Sequence, residues 1–162
     1  MSTQLSDFQD LAAFMARLPP VGTLIGIDAG TKTWGLALSD RTRMIASGLE
    51  TLFRTKFAPD VATLLGLADT HGVVGFVVGD PLNMDGTRGP RAQATLAFVR
   101  NLAGLTARPI LLWDERLSTV AAERALLEAD TSRRKRAEKI DMVAAVIILR
   151  GALERMRSAR VT

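Results

Sequence analysis

Leu24-Ile25-Gly26-Ile27-Asp28 is a run of apolar residues that ends on an acid, and Ala29-Gly30-Thr31-Lys32 follows it. The apolar run predicts a buried strand over residues 23–28. A carboxylate at the tip of such a strand is costly to desolvate unless a cation or hydrogen bonds compensate its charge. Ligands of open sheets bind at the carboxyl ends of the strands, so Asp28 is a candidate site residue. The alternative is that Asp28 only caps the following turn.

Length and composition indicate one globular domain, because the chain has 162 residues and 48% of them are hydrophobic. The absence of cysteine excludes disulfides, thiolate zinc sites and cysteine nucleophiles, and it fits the reducing cytoplasm in which we expect the protein. A histidine-based catalytic site would rest on His71 alone. No segment approaches the roughly 18 apolar residues that span a bilayer, so we expect no membrane partner.

Positive charge is concentrated near the C-terminus. Residues 1–130 carry 12 Lys and Arg against 14 Asp and Glu, whereas residues 131–162 carry 9 against 3. Such asymmetry favours an anionic partner, most plausibly a nucleic acid. A solvated basic surface helix is the alternative interpretation.

The order of predicted elements indicates a mixed sheet with helices on its faces. No helical pattern separates the first three strands, so they should form antiparallel hairpins. An N-terminal helical extension over residues 1–20, capped by Ser6 and ended by Pro19-Pro20, should precede the domain over residues 21–157. Strands are predicted over 23–28, 34–39, 44–52, 73–78 and 110–113. Helices are predicted over 60–70, 90–104, 119–129 after Ser118, and from Ser132 to about 156.

A second acid follows the strand at 110–113, in Trp113-Asp114-Glu115-Arg116. Alternation along an extended chain directs Asp114 and Glu115 to opposite sides, so one can face a site while the other pairs with Arg116. We favour Glu115 for the site. Asp80 also follows a strand and remains a competitor.

A third acid, Asp141, interrupts a stripe of small apolar residues on the last predicted helix. Helical spacing aligns it with Ala137, Ala144, Ala145, Ile148 and Ala152, which should lie against the sheet. A buried acid there would shift its pKa or bind a cation. The alternative is an ion pair with Lys139, and Glu138 could reach the same ion. Carboxylate ligands suit Mg²⁺ or Mn²⁺, which support phosphodiester cleavage.

Basic residues in the first turn of that helix, Arg133-Arg134-Lys135-Arg136, oppose the helix macrodipole. Four consecutive basic residues at positions that are unfavourable for helix stability indicate contacts with phosphates outside the protein. The alternative is a solvated basic segment on the surface without a binding role. Loop residues near the predicted strand tips could extend the same positive rim, namely Lys32, Arg88 and Arg91.

Four segments resemble, in this order, the YqgF family, which is also called RuvX. They are GIDAGTKTWGLALSD (26–40), VGDPLNMDGT (78–87), WDERLST (113–119) and SRRKR (132–136) with Ile140-Asp141. The resemblance covers about residues 22–155. It departs from the family pattern at Ala29, where proline is usual, and at Thr33, where a basic residue is usual.

The resemblance implies a ribonuclease H-like α/β fold, with a five-stranded mixed sheet of three antiparallel and two parallel strands and helices on both faces. It implies that Asp28, Glu115 and Asp141 are the catalytic acids and the ligands of Mg²⁺ or Mn²⁺. Asn83, Arg116 and the basic helix start would face nucleic acid. The implied function is a metal-dependent nuclease that processes the 5′ end of precursor 16S ribosomal RNA, with a Holliday junction resolvase as the alternative. We expect structured or single-stranded RNA as the partner, branched DNA as the second candidate, and a monomer or homodimer.

Two other function classes fit less well. The Asp28-Ala29-Gly30-Thr31 loop matches the phosphate loop of actin-like and sugar-kinase ATPases, but those proteins close two such domains on a nucleotide. A Walker loop has different glycine spacing before its lysine. A non-catalytic RNA-binding module would use the basic helix but has no use for three acids, because acids repel phosphate unless a cation bridges them.

Overall fold

Five strands form a single sheet in a computed structural model that describes residues 4–117 and 133–161, with side chains for 4–117 and 142–160. The order across the sheet is β3-β2-β1-β4-β5. The strands are β1 (Thr23–Ala29), β2 (Thr33–Ser39), β3 (Ala46–Phe53), β4 (Val73–Asp80) and β5 (Ile110–Asp114).

The first three strands are antiparallel, and the last two are parallel to β1. This confirms the predicted mixed sheet. The turn from β1 to β2 is tight, since Gly30 N–H donates to the Thr33 carbonyl at 2.9 Å. A Cβ at Gly30 would lie 2.7 Å from that carbonyl oxygen, so the turn requires glycine there.

Helices cover both faces of the sheet, as expected. They are α1 (Leu5–Phe8), α2 (Leu11–Ala16), α3 (Phe57–Thr70), α4 (Pro90–Ala103) and α5 (Arg133–Val161). One buried cluster joins α3 and α4 to β1 residues Ile25 and Ile27. The other joins α5 to Leu24 and Val77. None of the helices within residues 4–117 and 133–161 combines the length and hydropathy needed to cross a bilayer.

The N-terminal segment differs from the prediction, because it forms two short helices and Ser6 lies inside the first of them. The cap is instead Asp10, whose carboxylate accepts a hydrogen bond from Ala13 N–H at 3.0 Å and starts α2. A side chain that caps a new helix competes with continuation of the old one. The break sends Phe8 and Phe14 into different core clusters, so this segment contributes to the packed interior.

Helix boundaries also differ from the prediction at two places. α3 begins at Phe57, three residues earlier than expected, because Pro59 is accommodated in the first turn, where its missing N–H is not needed. α5 continues to Val161, five residues beyond the predicted end. The predicted helix over 119–129, with its cap Ser118, and the cap Ser132 lie outside the described residues.

Helix α5 lies close against the sheet because glycines line the sheet beneath it. A Cβ at Gly26 of β1 would be 2.7 Å from Leu149 Cβ and 3.0 Å from the Ala145 carbonyl oxygen. On β3, a Cβ at Gly48 would be 2.7 Å from the sulfur of Met142.

The path of α5 across the sheet follows from its contacts. Met142 lies beside Gly48 of β3, Ala145 and Leu149 lie over Gly26 of β1, and Gly151 packs against Trp113 of β5. Arg157 Nη1 donates to the Met44 carbonyl at 3.2 Å, in the turn between β2 and β3. Helix α5 therefore spans the sheet from β3 to β5.

Gly26→Ala should lower the free energy of unfolding by about 1–3 kcal/mol, because the added methyl group forces α5 away from the sheet. Gly66→Ala is the matched control. Gly66 lies in α3 with open space around it, and alanine there should raise stability by about 0.5–1 kcal/mol. Urea unfolding measures both, and a Gly26→Ala protein as stable as the parent would contradict this packing.

Candidate functional site

Asp28 lies next to the last residue of β1 and is only 2% exposed. Side chains alternate along a strand, and Leu24 and Gly26 contact the α5 side. Asp28 therefore belongs to the α5 face of the sheet. Its Oδ1 lies 3.8 Å from Nη2 of Arg91, which reaches around the strand tip from the first turn of α4.

Glu115 directs its carboxylate back over the same face. It opens a 3-10 turn (Glu115–Leu117) immediately after β5. A Cβ at Gly79 would lie 3.0 Å from Glu115 Oε2 and closer still to Ile148 Cδ1, so glycine leaves room for both side chains. Ile27 is paired with Val78, which makes Gly79 the neighbour of Asp28 on the adjoining strand. The two predicted acids thus share one face and one end of the sheet.

Asp114 is held away from this point by its own arginine. Arg116 donates from Nη2 to Asp114 Oδ2 at 2.7 Å and from its backbone N–H to Oδ1 at 2.9 Å. The hydrogen bond from the guanidinium is the main reason that the pKa of Asp114 lies below its usual value, and the same bond raises the pKa of Arg116. Both groups are charged at neutral pH, which offsets the charge that Arg116 could offer to a phosphate.

Asp80 is also engaged elsewhere. It is 1% exposed, and Arg88 donates to both of its carboxylate oxygens, at 2.8 and 2.9 Å. Alternation along β4 directs Asp80 to the α4 face, because Val78 belongs to that cluster and Gly79 faces Ile148. Asp80 therefore lies on the opposite face of the sheet from Asp28 and Glu115. The Arg88 guanidinium compensates the charge of this buried carboxylate.

Asp141 is placed by its position in α5. It lies one helical turn before Ala145, whose carbonyl oxygen lies over Gly26, and two turns before Ile148 at Gly79. The side chains of Asp141, Glu138 and Arg133–Arg136 lie outside the described set.

The chemistry of the two described acids fits a hard divalent cation. Both offer only oxygen atoms, and Gly79 leaves space where any other residue would place a Cβ. Within the set of described side chains, no three Asp, Glu or His residues lie close enough to hold an ion. A third ligand would have to come from outside that set, and residue 141 is the predicted position for it.

The residues predicted to face nucleic acid fall into two groups. Lys32, in the turn after β1, and Arg91, in α4, are exposed. Asn83 instead organises its own loop, since its Nδ2 donates to Thr87 Oγ1 at 2.9 Å and its backbone N–H to the Thr87 carbonyl at 3.0 Å. Arg88 and Arg116 are engaged in the ion pairs already described.

Arg54 is a cation beside the site that the sequence patterns do not predict. It follows β3, and its backbone N–H donates to the Lys32 carbonyl at 2.9 Å. Its guanidinium carbon lies 5.4 Å from the ring centroid of Trp34, and Nη1 lies 3.4 Å from the Gly30 carbonyl oxygen. The only signal in the sequence is the basic pair in Phe53-Arg54-Thr55-Lys56, which does not indicate pairing with the β1–β2 turn.

Comparison with known proteins identifies close relatives. The family model described as "RuvX: Holliday junction resolvase" matches residues 22–155. A protein of Rhodobacter capsulatus is 59% identical over 143 residues, which are 88% of this chain and 90% of the relative. One of Paracoccus denitrificans is 56% identical over 149 residues, which are 92% and 94% of the two chains. Both relatives carry the name "Putative pre-16S rRNA nuclease".

Solved structures share the fold at low sequence identity. Thermus thermophilus RuvC in complex with a Holliday junction substrate matches with a TM-score of 0.54 and 14% identity, over 85% of this chain and 96% of RuvC. The yeast mitochondrial Holliday junction resolvase Ydc2 matches with a TM-score of 0.51 and 13% identity, over 91% of this chain and 84% of Ydc2. These likenesses confirm the expected ribonuclease H-like fold.

Arg88→Met should lower the free energy of unfolding by about 3 kcal/mol, because it leaves the Asp80 carboxylate buried without its cation. Adding Asp80→Asn should restore part of the loss. Arg116→Met is the matched control, since its pair with Asp114 is more exposed and should contribute less than about 1 kcal/mol. Urea unfolding of the four proteins separates these outcomes. Equal losses in Arg88→Met and Arg116→Met would contradict the structural role of Arg88.

Proposed function

This chain belongs to the RuvX family, and on that premise we propose that it is a metal-dependent nuclease that processes the 5′ end of precursor 16S ribosomal RNA. The observation that carries the proposal is the position of Asp28 and Glu115 on one face of the sheet, on either side of Gly79. The relatives of known name support the choice of substrate.

In this proposal, Asp28, Glu115 and Asp141 would hold Mg²⁺ or Mn²⁺. When bound, such ions would supply activation of the attacking water and stabilisation of the leaving oxygen in phosphodiester hydrolysis. The protein fold holds the metal-binding carboxylates in position. Gly79 keeps the space over β4 open for the Glu115 carboxylate, and the buried end of β1 holds Asp28 in place.

Positive residues around the acids would bind the RNA backbone. Arg91 is half-exposed and lies 3.8 Å from Asp28, so it can contact a phosphate that reaches the acids. Lys32 is exposed in the neighbouring turn. The four basic residues at the start of α5 precede Asp141 by one to two helical turns, so in this proposal they lie near the acids. These contacts give affinity without sequence readout.

Asp28→Asn should reduce cleavage at least about 100-fold, because it removes a charged metal ligand. The assay uses Mn²⁺ and a precursor fragment that spans the 5′ end of 16S ribosomal RNA, with a four-way DNA junction digested in parallel. Calorimetric titration with Mn²⁺ should show weakened binding by the same variant. Glu154→Gln, an exposed acid in the last third of α5, is the control and should leave both readouts unchanged.

The possible outcomes separate the candidate functions. Cleavage by folded Asp28→Asn at the parental rate would exclude the proposed site. Cleavage of the junction with the RNA left intact would replace the proposal with the resolvase alternative. RNA binding without cleavage of either substrate would favour the non-catalytic module.

The double variant Arg134→Ala/Lys135→Ala should weaken RNA binding and make it less sensitive to salt. Each lost contact to a phosphate of a single strand reduces the slope of log K against log salt by about 0.7. The control is Arg41→Ala/Arg160→Ala, which removes the same charge from exposed positions at the opposite end of the sheet. Filter binding at several salt concentrations measures the slopes. Equal slopes for the two double variants would remove the proposed role of the helix start.

A further inference from the structure

A groove of about 380 Å³ begins beside Asp28 and runs along α4, on the face of the sheet opposite α5. Its walls are the β1–β2 turn, the start of α3 and one side of α4. Arg91 both lines this groove and lies 3.8 Å from Asp28. A ligand in the groove would therefore be next to whatever the acids bind. We call this feature the α4 groove.

Three packed aromatic side chains lie beneath the α4 groove, of which Trp34 and Phe98 are buried and Phe57 is half-buried. Trp34 meets Phe98 edge to face with ring centroids 4.9 Å apart, and Phe57 completes the cluster at 6.4 Å from Trp34. Ala94 and Ala97 stand on the α4 side and are exposed. Because these side chains are small, the groove stays open above the rings.

Two arginines flank this apolar surface. Arg54 lies over the Trp34 ring and is exposed, and Arg91 has 47% of its side chain exposed. Among residues 4–117 and 142–160, no carboxylate lies within ion-pair distance of Arg54. An apolar slot between two guanidinium groups is complementary to one planar, apolar group that carries a negative charge.

We propose that the α4 groove binds one unpaired nucleotide of the RNA, adjacent to the phosphate at the acids. The base packs against the side of α4 at Ala94 and Ala97 and against the accessible part of Phe57, and Arg54 and Arg91 hold its phosphate. Unstacked bases of single strands are recognised by aromatic side chains and by guanidinium planes, whereas paired bases are not available for such contacts. Asn101, exposed at the far end of the groove, offers an amide donor and acceptor to the edge of the base.

The proposal rests on the proposed function and makes it more specific. A nuclease that grips an unpaired nucleotide beside the cut requires single-stranded RNA on one side of the cleaved bond. Charge attraction at Lys32 and at the start of α5 has no such requirement. The α4 groove would thus select where along the RNA cleavage takes place.

The test measures binding of a fluorescein-labelled, unpaired oligoribonucleotide of about 12 nucleotides, within the range of strand lengths that single protein modules bind. Fluorescence anisotropy in EDTA separates binding from cleavage. Ala97→Leu fills the groove, and Ala62→Leu makes the same change on an exposed position of α3 outside it. Arg54→Ala removes one flanking cation, and Arg41→Ala removes one at the opposite end of the sheet.

Ala97→Leu should weaken binding about 5- to 150-fold, the range expected for loss of one base contact. Arg54→Ala should also weaken it, while Ala62→Leu and Arg41→Ala bind like the parent. Abasic nucleotides are then introduced one position at a time. At one position, the abasic nucleotide should weaken binding to the parent protein by a similar factor. The same oligoribonucleotide should bind Ala97→Leu no more weakly than the intact one does, because the filled groove has already lost that contact.

The outcomes distinguish this proposal from the proposed function. The proposed nucleotide site would be contradicted if Ala97→Leu bound like the parent, or if the oligoribonucleotide did not bind at all. It would also be contradicted if no abasic position weakened binding, or if the abasic substitution weakened Ala97→Leu as much as it weakens the parent. Metal-dependent cleavage that Asp28→Asn abolishes would still support the nuclease in each of those cases. An abasic penalty that disappears in Ala97→Leu, in a protein that cleaves nothing, would support the groove and contradict the nuclease.

Discussion

The close packing of α5 on a glycine-lined sheet is the constraint on which the site depends. Gly26 admits the backbone of α5 to within van der Waals contact of β1, and Gly79 does the same for Ile148 and the Glu115 carboxylate over β4. A helix seated farther out would lose these contacts. Ile148 and the Glu115 carboxylate meet over Gly79, the neighbour of Asp28, so the close packing of α5 shapes this face of the site.

Ion pairs engage two of the acids near the strand ends. Arg88 and Arg116 neutralise Asp80 and Asp114, each through two or more hydrogen bonds. Each paired aspartate is the last residue of its strand, and each is fixed by an arginine within eight residues of the chain. The contact of Arg91 with Asp28 is longer, at 3.8 Å, and Arg91 is half-exposed. That geometry leaves Arg91 able to turn toward a phosphate.

The sequence predicts the strands well because they depend on local patterns. The apolar run before Asp28 and the absence of a helix between the first three strands were sufficient for the mixed sheet. Alternation predicted that one of Asp114 and Glu115 would pair with Arg116, and in the structure Asp114 forms that pair. Ser6 was wrongly predicted as a cap, since the choice between Ser6 and Asp10 depends on how Phe8 and Phe14 pack in the core.

Features built from distant segments escaped prediction. The α4 groove joins the β1–β2 turn to α3 and α4, and its aromatic surface combines Trp34, Phe57 and Phe98. Each of the three reads as an ordinary core residue in the sequence. Likewise, a count of basic residues does not tell that Arg88 balances a buried aspartate. The sequence shows that a basic residue is present, whereas the fold determines whether its charge is already paired with a carboxylate of the same protein.

We propose that Asp28, Glu115 and Asp141 converge on shared divalent ions. Crystals of the protein grown with Mn²⁺, with diffraction recorded above the manganese absorption edge, test it most directly. The account predicts an anomalous peak at coordination distance from the carboxylate oxygens of all three residues. A peak elsewhere, or an Asp141 carboxylate that points away from the ion bound by Asp28 and Glu115, would contradict it.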